Sequence, residues 1–185
     1  MTAGLEAPTR RRAIRILEEG RALTLDLIEA LPGSARTTTG LGGGAWSPKD
    51  LIGHLASWEE YALDALDAWD RGERAPIDAL QFTVSTGRIN AQNVERKATW
   101  SWAQVRRGSE RTHAELLEAI RGLTDTRWRG PATERGRKPL GARLGGILGG
   151  PGGPFRHDEA HHGSLAAFVA EHGGRERERP VRYPT

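Results

Sequence analysis

The chain contains no cysteine. This excludes disulfides, thiolate zinc sites and a cysteine nucleophile, so any thiol chemistry would have to use a small-molecule thiol. Nor is there an apolar run near the roughly 18 residues that a membrane-crossing helix requires, so no membrane partner is expected. The start, Met1 to Glu6 followed by Arg10-Arg11-Arg12, lacks the apolar segment of a secretory signal and reads as cytoplasmic. Charge of one sign is also lacking. Lys and Arg number 27 against 24 Asp and Glu, a net charge of +3, with the signs mixed along most of the chain. The excess sits in Arg10–Arg12 and in the stretch 127–143, and a solvated surface with no nucleic-acid partner is the expectation.

What is present is enough for one domain with a core: 185 residues, 37% of them hydrophobic. Helical periodicity dominates, with no convincing strand pair and no internal repeat. A first helix is expected over about 8–31, its buried face following Leu17, Gly20, Leu23, Leu27 and Leu31. Ser47, Pro48 and Asp50 form a strong helix start: an N-cap, a first-turn proline and a capping-box acid. From there Leu51, Leu55, Trp58, Ala62, Ala65 and Trp69 step by four and three, the seam of a bundle. Residues 72–86 read as a connection. A long helix follows over about 87–122, striped by Trp102, Val105, Ser109, Thr112, Leu116, Ile120 and Leu123, with Gly108 as a kink point.

The segment 124–153 is crowded with glycine, and Leu140, Leu144, Ile147 and Leu148 predict only a short helical turn within it. A last helix is expected over about 154–172, carrying His157, His161, Leu165 and Phe168 on one stripe. Residues 1–7 and 175–185 read as a flexible N-terminus and a charged flexible tail around a domain of 8–174. The fold class expected is all-α, an up-down four-helix bundle with a Gly-rich loop before its last helix.

The histidines carry the functional signal. His157 and His161 lie one turn apart on one face and can grip a single ion. His54 lies beside the seam of the second helix. If the second and fourth helices run parallel, as in an alternating bundle, the three imidazoles converge and leave coordination positions open. Asp50 and Asp158 are candidate partners for the outer ring nitrogens, although Asp50 also serves as a cap and Asp158 reads as solvated. His162 and His172 are expected toward solvent, and His113 away from the site. Trp58 and Trp69 read as seam residues, and Trp46 as a wall of a pocket above the ion. No catalytic residue stands out.

Trp46-Ser47-Pro48-Lys49-Asp50-Leu51-Ile52-Gly53-His54-Leu55, followed by His157-x-x-x-His161, resembles the DinB-like (DinB/YfiT) superfamily of metal-binding four-helix bundles. The resemblance covers about residues 8–172 and places His54, His157 and His161 at its ligand positions. It implies a divalent metal (zinc, nickel or iron), a homodimer in many members, and a small-molecule substrate. Members with assigned chemistry include thiol-dependent transferases and isomerases that use mycothiol, bacillithiol or glutathione. Trp46, Trp58 and Tyr61 would then lie near the cofactor. The opening from Trp46 to Glu59, and Arg135-Gly136-Arg137-Lys138-Pro139-Leu140-Gly141, are also similar to the ClbS/DfsB-like branch. That branch implies self-protection by hydrolytic opening of a cyclopropane warhead. Gly149-Gly150-Pro151-Gly152-Gly153-Pro154 departs from the family pattern by interrupting the final helix.

Overall fold

Thr9 opens the first helix, α1 (Arg10–Glu29), its hydroxyl accepting the Arg12 amide. A computed structural model describes residues 8–134 and 136–173; the termini expected to be flexible, and Arg135, lie outside them. The face that α1 buries is Ala13, Ile16, Leu17, Gly20, Arg21, Thr24 and Ile28. This differs from the expected stripe, and Leu23 is 46% exposed. The true face is masked in the sequence because Arg21 and Thr24, two polar residues, lie on it.

The start of α2 (Pro48–Asp70) is as expected. Ser47 Oγ accepts the Asp50 amide at 3.3 Å and Asp50 Oδ2 accepts the Ser47 amide at 2.9 Å. All six predicted seam residues of α2 are buried. The connection that follows is not plain loop: it contains α3 (Pro76–Thr83). The long third helix is in fact two, α4 (Thr86–Arg96) and α5 (Trp102–Gly122). The break falls at Lys97–Ser101 rather than at Gly108. Lys97 sends its ammonium back to α2, to Gly53 O, Ser57 Oγ and Glu60 Oε1, and a Ser101–Gln104 capping box restarts the helix. Then come α6 (Asp125–Arg129), α7 (Leu140–Ile147) and α8 (Glu159–His172). Among the described residues there are two isolated β-bridges and no named strand, and no helix is long and apolar enough to cross a membrane.

Side-chain ties fix the directions of the four long helices. Arg10 reaches Arg121 O and Asp125, while Arg106 reaches Glu29, so α1 and α5 are antiparallel. Lys49 bonds Ala98 O and Trp100 O near the starts of α2 and α5, and Asp70 meets Arg127 beyond their other ends, so these two run parallel. Thr24 lies against His162, and Gly173 lies near Ala30, so α1 and α8 also run parallel. The order is therefore up-down-down-up, not strictly alternating, because α3 and α4 carry the chain back before α5 begins. Consequently α2 and α8 are antiparallel.

The apolar core is in two parts. One part gathers Leu17, Trp58, Ala62, Trp69, Leu116, Trp128, Leu144 and Phe155. The other gathers Ile28, Leu31, Leu51, Leu55, Val105, Leu165 and Phe168. Where the two parts meet, polar side chains gather: Arg21 and Thr24 on α1, His54 and Glu59 on α2, Ser109 and Thr112 on α5, and His157 and Asp158 at the turn into α8. A polar layer thus crosses the bundle.

The glycine-rich segment is a packing device. A Cβ on Gly141 would lie 2.3 Å from Trp128, and one on Gly145 2.7 Å from Phe155. The two rings stack at 5.7 Å against this bare face of α7. Gly146 points elsewhere and meets nothing within 4 Å. Two substitutions in one helix should therefore act with opposite sign. Gly141→Ala is expected to destabilise the protein by about 1–3 kcal/mol through overpacking, whereas Gly146→Ala should stabilise it by about 0.5–1 kcal/mol through helix propensity. Urea unfolding of both variants is the check, and a shared sign would contradict this packing.

Candidate metal centre

The capping box fixes where α2 begins, and so places His54 in its second turn, 1% exposed. The other two histidines reach it by an unusual path. After α7 the chain makes a tight turn through Gly149–Arg156. A Cβ on Gly150 would lie 2.7 Å from Arg156 O, and Phe155 takes φ 64°, a left-handed conformation costly for a side-chain-bearing residue. Burial of the Phe155 ring holds it there. The Phe155 amide bonds Gly145 O, and the His157 amide bonds Leu148 O. His157 therefore stands just before α8, not inside a helix beginning near 154, while Asp158 already has helical backbone angles. His161 follows one turn later.

The three histidines converge as expected. His54 Nε2 lies 3.0 Å from His157 Nε2. One ligand nitrogen from each of His54, His157 and His161 lies within 4.8 Å of the others. A tetrahedral ion with bonds of 2.0–2.1 Å sets its nitrogens about 3.3 Å apart, so the donor set is of the right kind and size. His54 Nδ1 is buried and has no hydrogen-bond partner among the described residues. Burial first, then the neighbouring histidines, push His54 down to about 2 and His157 to about 4, and burial also lowers His161. All three are neutral near pH 7, the protonation state in which imidazole binds a metal.

The aromatic residues are graded in distance. Trp46 is tilted against His54 at 4.8 Å, and Trp58 stands edge-on to His157 at 5.9 Å. Tyr61 lies one ring further out, against Trp58 at 5.6 Å. Its hydroxyl donates to Asn93 and the Trp58 indole to Asn90, which docks α4 on α2. Asp50 is used in its cap and forms no bond to His54.

Three residues behave differently from their expected solvated state. Asp158 is buried, its carboxylate accepting from Arg21 Nε at 3.0 Å and from Thr24 Oγ1 at 2.8 Å. Burial alone would raise its pKa, but Arg21 and these bonds outweigh burial and hold it below the usual carboxylate value. His162 is half-buried, with Nε2 3.0 Å from Thr24 Oγ1 and 3.2 Å from Gly20 O. His172, expected exposed, stacks on Phe168. His113 lies away from the cluster, as expected, with Nδ1 2.6 Å from Glu59 Oε1. Arg21, Glu59 and Ser109 are not among the candidate site residues that the sequence offers. The one signal that could have found Arg21 is its place on the helical phase of Leu17, Thr24 and Ile28.

The DinB superfamily model matches residues 16–177. The chain belongs to the DinB superfamily. Among solved structures it is similar to an uncharacterised protein from Escherichia coli UTI89, with a TM-score of 0.72 and 13% identity over 91% of this chain and 97% of that one. It is also similar to the colibactin self-resistance protein ClbS in complex with a dsDNA, with a TM-score of 0.67 and 13% identity over 89% and 97%. No curated protein matches the sequence. At this identity the likeness shows the fold. It also corrects one expectation: nucleic acid was excluded on near-balanced charge, yet a protein of this same fold was solved with duplex DNA. A net sum was poor ground for that exclusion because it does not say where charge sits. Arg129, Arg137 and Lys138, for example, all stand exposed in one stretch of this DinB chain.

The histidine cluster has a consequence for the metal-free protein. Unfolded imidazoles titrate near about 6.5, well above folded His54 and His157. Below that pH the unfolded state takes up more protons, so stability is full above about 6.5 and falls as pH drops, to about 4 for the His157 contribution and on to about 2 for that of His54. Urea unfolding of metal-free protein at a series of pH values should show this slope, and His54→Ala should flatten it. Equal slopes in the two proteins would contradict the neutral burial of His54.

Proposed function

We propose that this DinB-superfamily chain holds a divalent metal (zinc, nickel or iron) on His54, His157 and His161, and is an enzyme acting on a small electrophilic substrate. The observation that carries the reading is the convergence of three neutral imidazoles, one buried and two half-buried, with a nitrogen of each within 4.8 Å of the others. Such an ion acts as a Lewis acid and lowers the pKa of a bound thiol or water. The residues around it do the rest. Trp46 and Trp58 flank the cluster with apolar ring atoms, which suits the carbon body of a substrate and keeps water away. Tyr61 supports Trp58 from behind. No side chain of this protein supplies a thiol, so a thiol-transfer reaction draws its nucleophile from a low-molecular-weight thiol such as mycothiol or bacillithiol.

A second reading is protection against a reactive small molecule by hydrolysis, for instance of a cyclopropane-type warhead. Two observations favour it. The Trp46-to-Trp58 opening is similar to that of the ClbS-like branch, and the fold is shared with ClbS, a protein named for colibactin self-resistance.

Elemental analysis of tag-free protein tests the metal reading and separates it from metal-free hydrolysis. About one metal per chain is expected in wild type, lost in His54→Ala and His157→Ala while helicity by circular dichroism persists. Turnover that requires the metal and saturates with an added thiol supports transfer. Turnover without thiol supports hydrolysis. Wild-type protein that takes up no zinc, nickel or iron(II) would overturn the metal reading.

A further inference from the structure

Behind the histidines lies a knot of buried charge that the metal reading does not use. Arg21, 4% exposed, sends Nε to Asp158 Oδ1 at 3.0 Å and Nη1 to Ser109 Oγ at 2.9 Å, and its Nη2 lies 3.2 Å from Glu59 Oε1. Burial works against its charge, but Glu59 and Asp158 outweigh that and keep it protonated. One side chain of α1 thereby ties α2, α5 and the start of α8 together.

The position of Asp158 shows what the tie does. Asp158 follows His157 directly and precedes His161 by three residues, at the N-cap position of α8. Aspartate there normally caps its helix, yet this carboxylate makes no cap bond. It turns instead to Arg21 and Thr24. Glu59, the other carboxylate, stands on α2 five residues after His54. The two carboxylates held by Arg21 are therefore neighbours in the chain of the histidines on either side of the cluster. A buried ion pair of this kind adds little stability over an apolar replacement, and its value lies in the arrangement it fixes.

We infer that Arg21 is a positioning residue: through Asp158 and Glu59 it sets the start of α8 against α2 so that His157 and His161 face His54 in the metal-free protein. The inference deepens the metal reading and rests on it for its consequence, tighter metal binding.

The test uses the full chain as wild type, Arg21→Met and Asp158→Asn, with Arg143→Met as a control. Arg143 pairs with Asp78 and lies over Trp69, at the end of α2 away from His54. Two readouts are taken: zinc affinity by competition with a chromophoric chelator, and the nuclear Overhauser contact between the His54 and His157 rings in metal-free protein. Loss of a partner that orients metal ligands typically weakens affinity about 10–100-fold, and that range is expected for both knot variants, together with loss of the ring contact. Arg143→Met should lower the melting temperature and leave both readouts unchanged. If Arg21→Met fails to fold, the near-isosteric Asp158→Asn carries the test. Folded knot variants with wild-type zinc affinity and an intact ring contact would overturn the positioning role. Wild type that binds no zinc yet shows the ring contact, lost in Asp158→Asn, would remove the metal reading and leave the positioning role standing.

Discussion

A guanidinium that is always charged and almost wholly out of water cannot stand alone, because leaving it unpaired in the interior would cost several kcal/mol. Arg21 sets this condition in the middle of the bundle, and much of the arrangement follows from it. Two carboxylates must come to it, and they come from different elements, Glu59 from α2 and Asp158 from the turn into α8. Ser109 of α5 supplies a further acceptor. Thr24, one turn further along α1, bonds the same Asp158 and meets His162. The apolar core is divided because this layer runs through it. The three histidines lie in the same layer, where polar groups are already accommodated.

The geometry also explains how His157 and His161 reach His54 although α2 and α8 run in opposite directions. At 1.5 Å per residue α2 is about 34 Å long and α8 about 21 Å. An antiparallel helix of full length would place its first turn at the far end from His54. Here the hook from Gly149 to Arg156, anchored through Phe155 and Leu148, delivers the chain to mid-bundle before α8 begins. The start of α8 then meets the second turn of α2. The glycines allow the hook to pack against α7, and the left-handed Phe155 turns the chain into it.

How much of this could be read in the sequence depended on whether a feature is local and apolar. The capping box at Ser47 and Asp50, the seam from Leu51 to Trp69 and the stripe from Val105 to Ile120 all rest on short-range rules, and the structure has them. The histidine cluster was legible from spacing and family likeness, although the reason given for its convergence, parallel helices, does not hold. What failed was wherever a polar residue is buried. The face of α1 was misplaced because Arg21 and Thr24 look like solvent residues until partners 137 and 134 positions away are known. Asp158 and His162 were assigned to solvent for the same reason. The break between α4 and α5 was missed because Lys97 ends its helix by bonding α2, a contact across more than forty residues.

The layer also bears on what kind of partner a metal at this site would need. On the proposed reading all three protein donors are neutral imidazoles, which leave the charge of a divalent ion undiminished and favour an anion at an open position. The chain has no thiolate to offer. Its nearest carboxylate along the chain, Asp158, is committed through both oxygens to Arg21, with Thr24 on one of them. Glu59 Oε2 has no partner among the described residues, but Arg21 and His113 draw the group toward α1 and α5. On that reading, an anionic partner for the metal would come from outside the chain, as a thiolate or as hydroxide from water. Transfer would draw on the thiol and hydrolysis on water, beside the rings of Trp46 and Trp58.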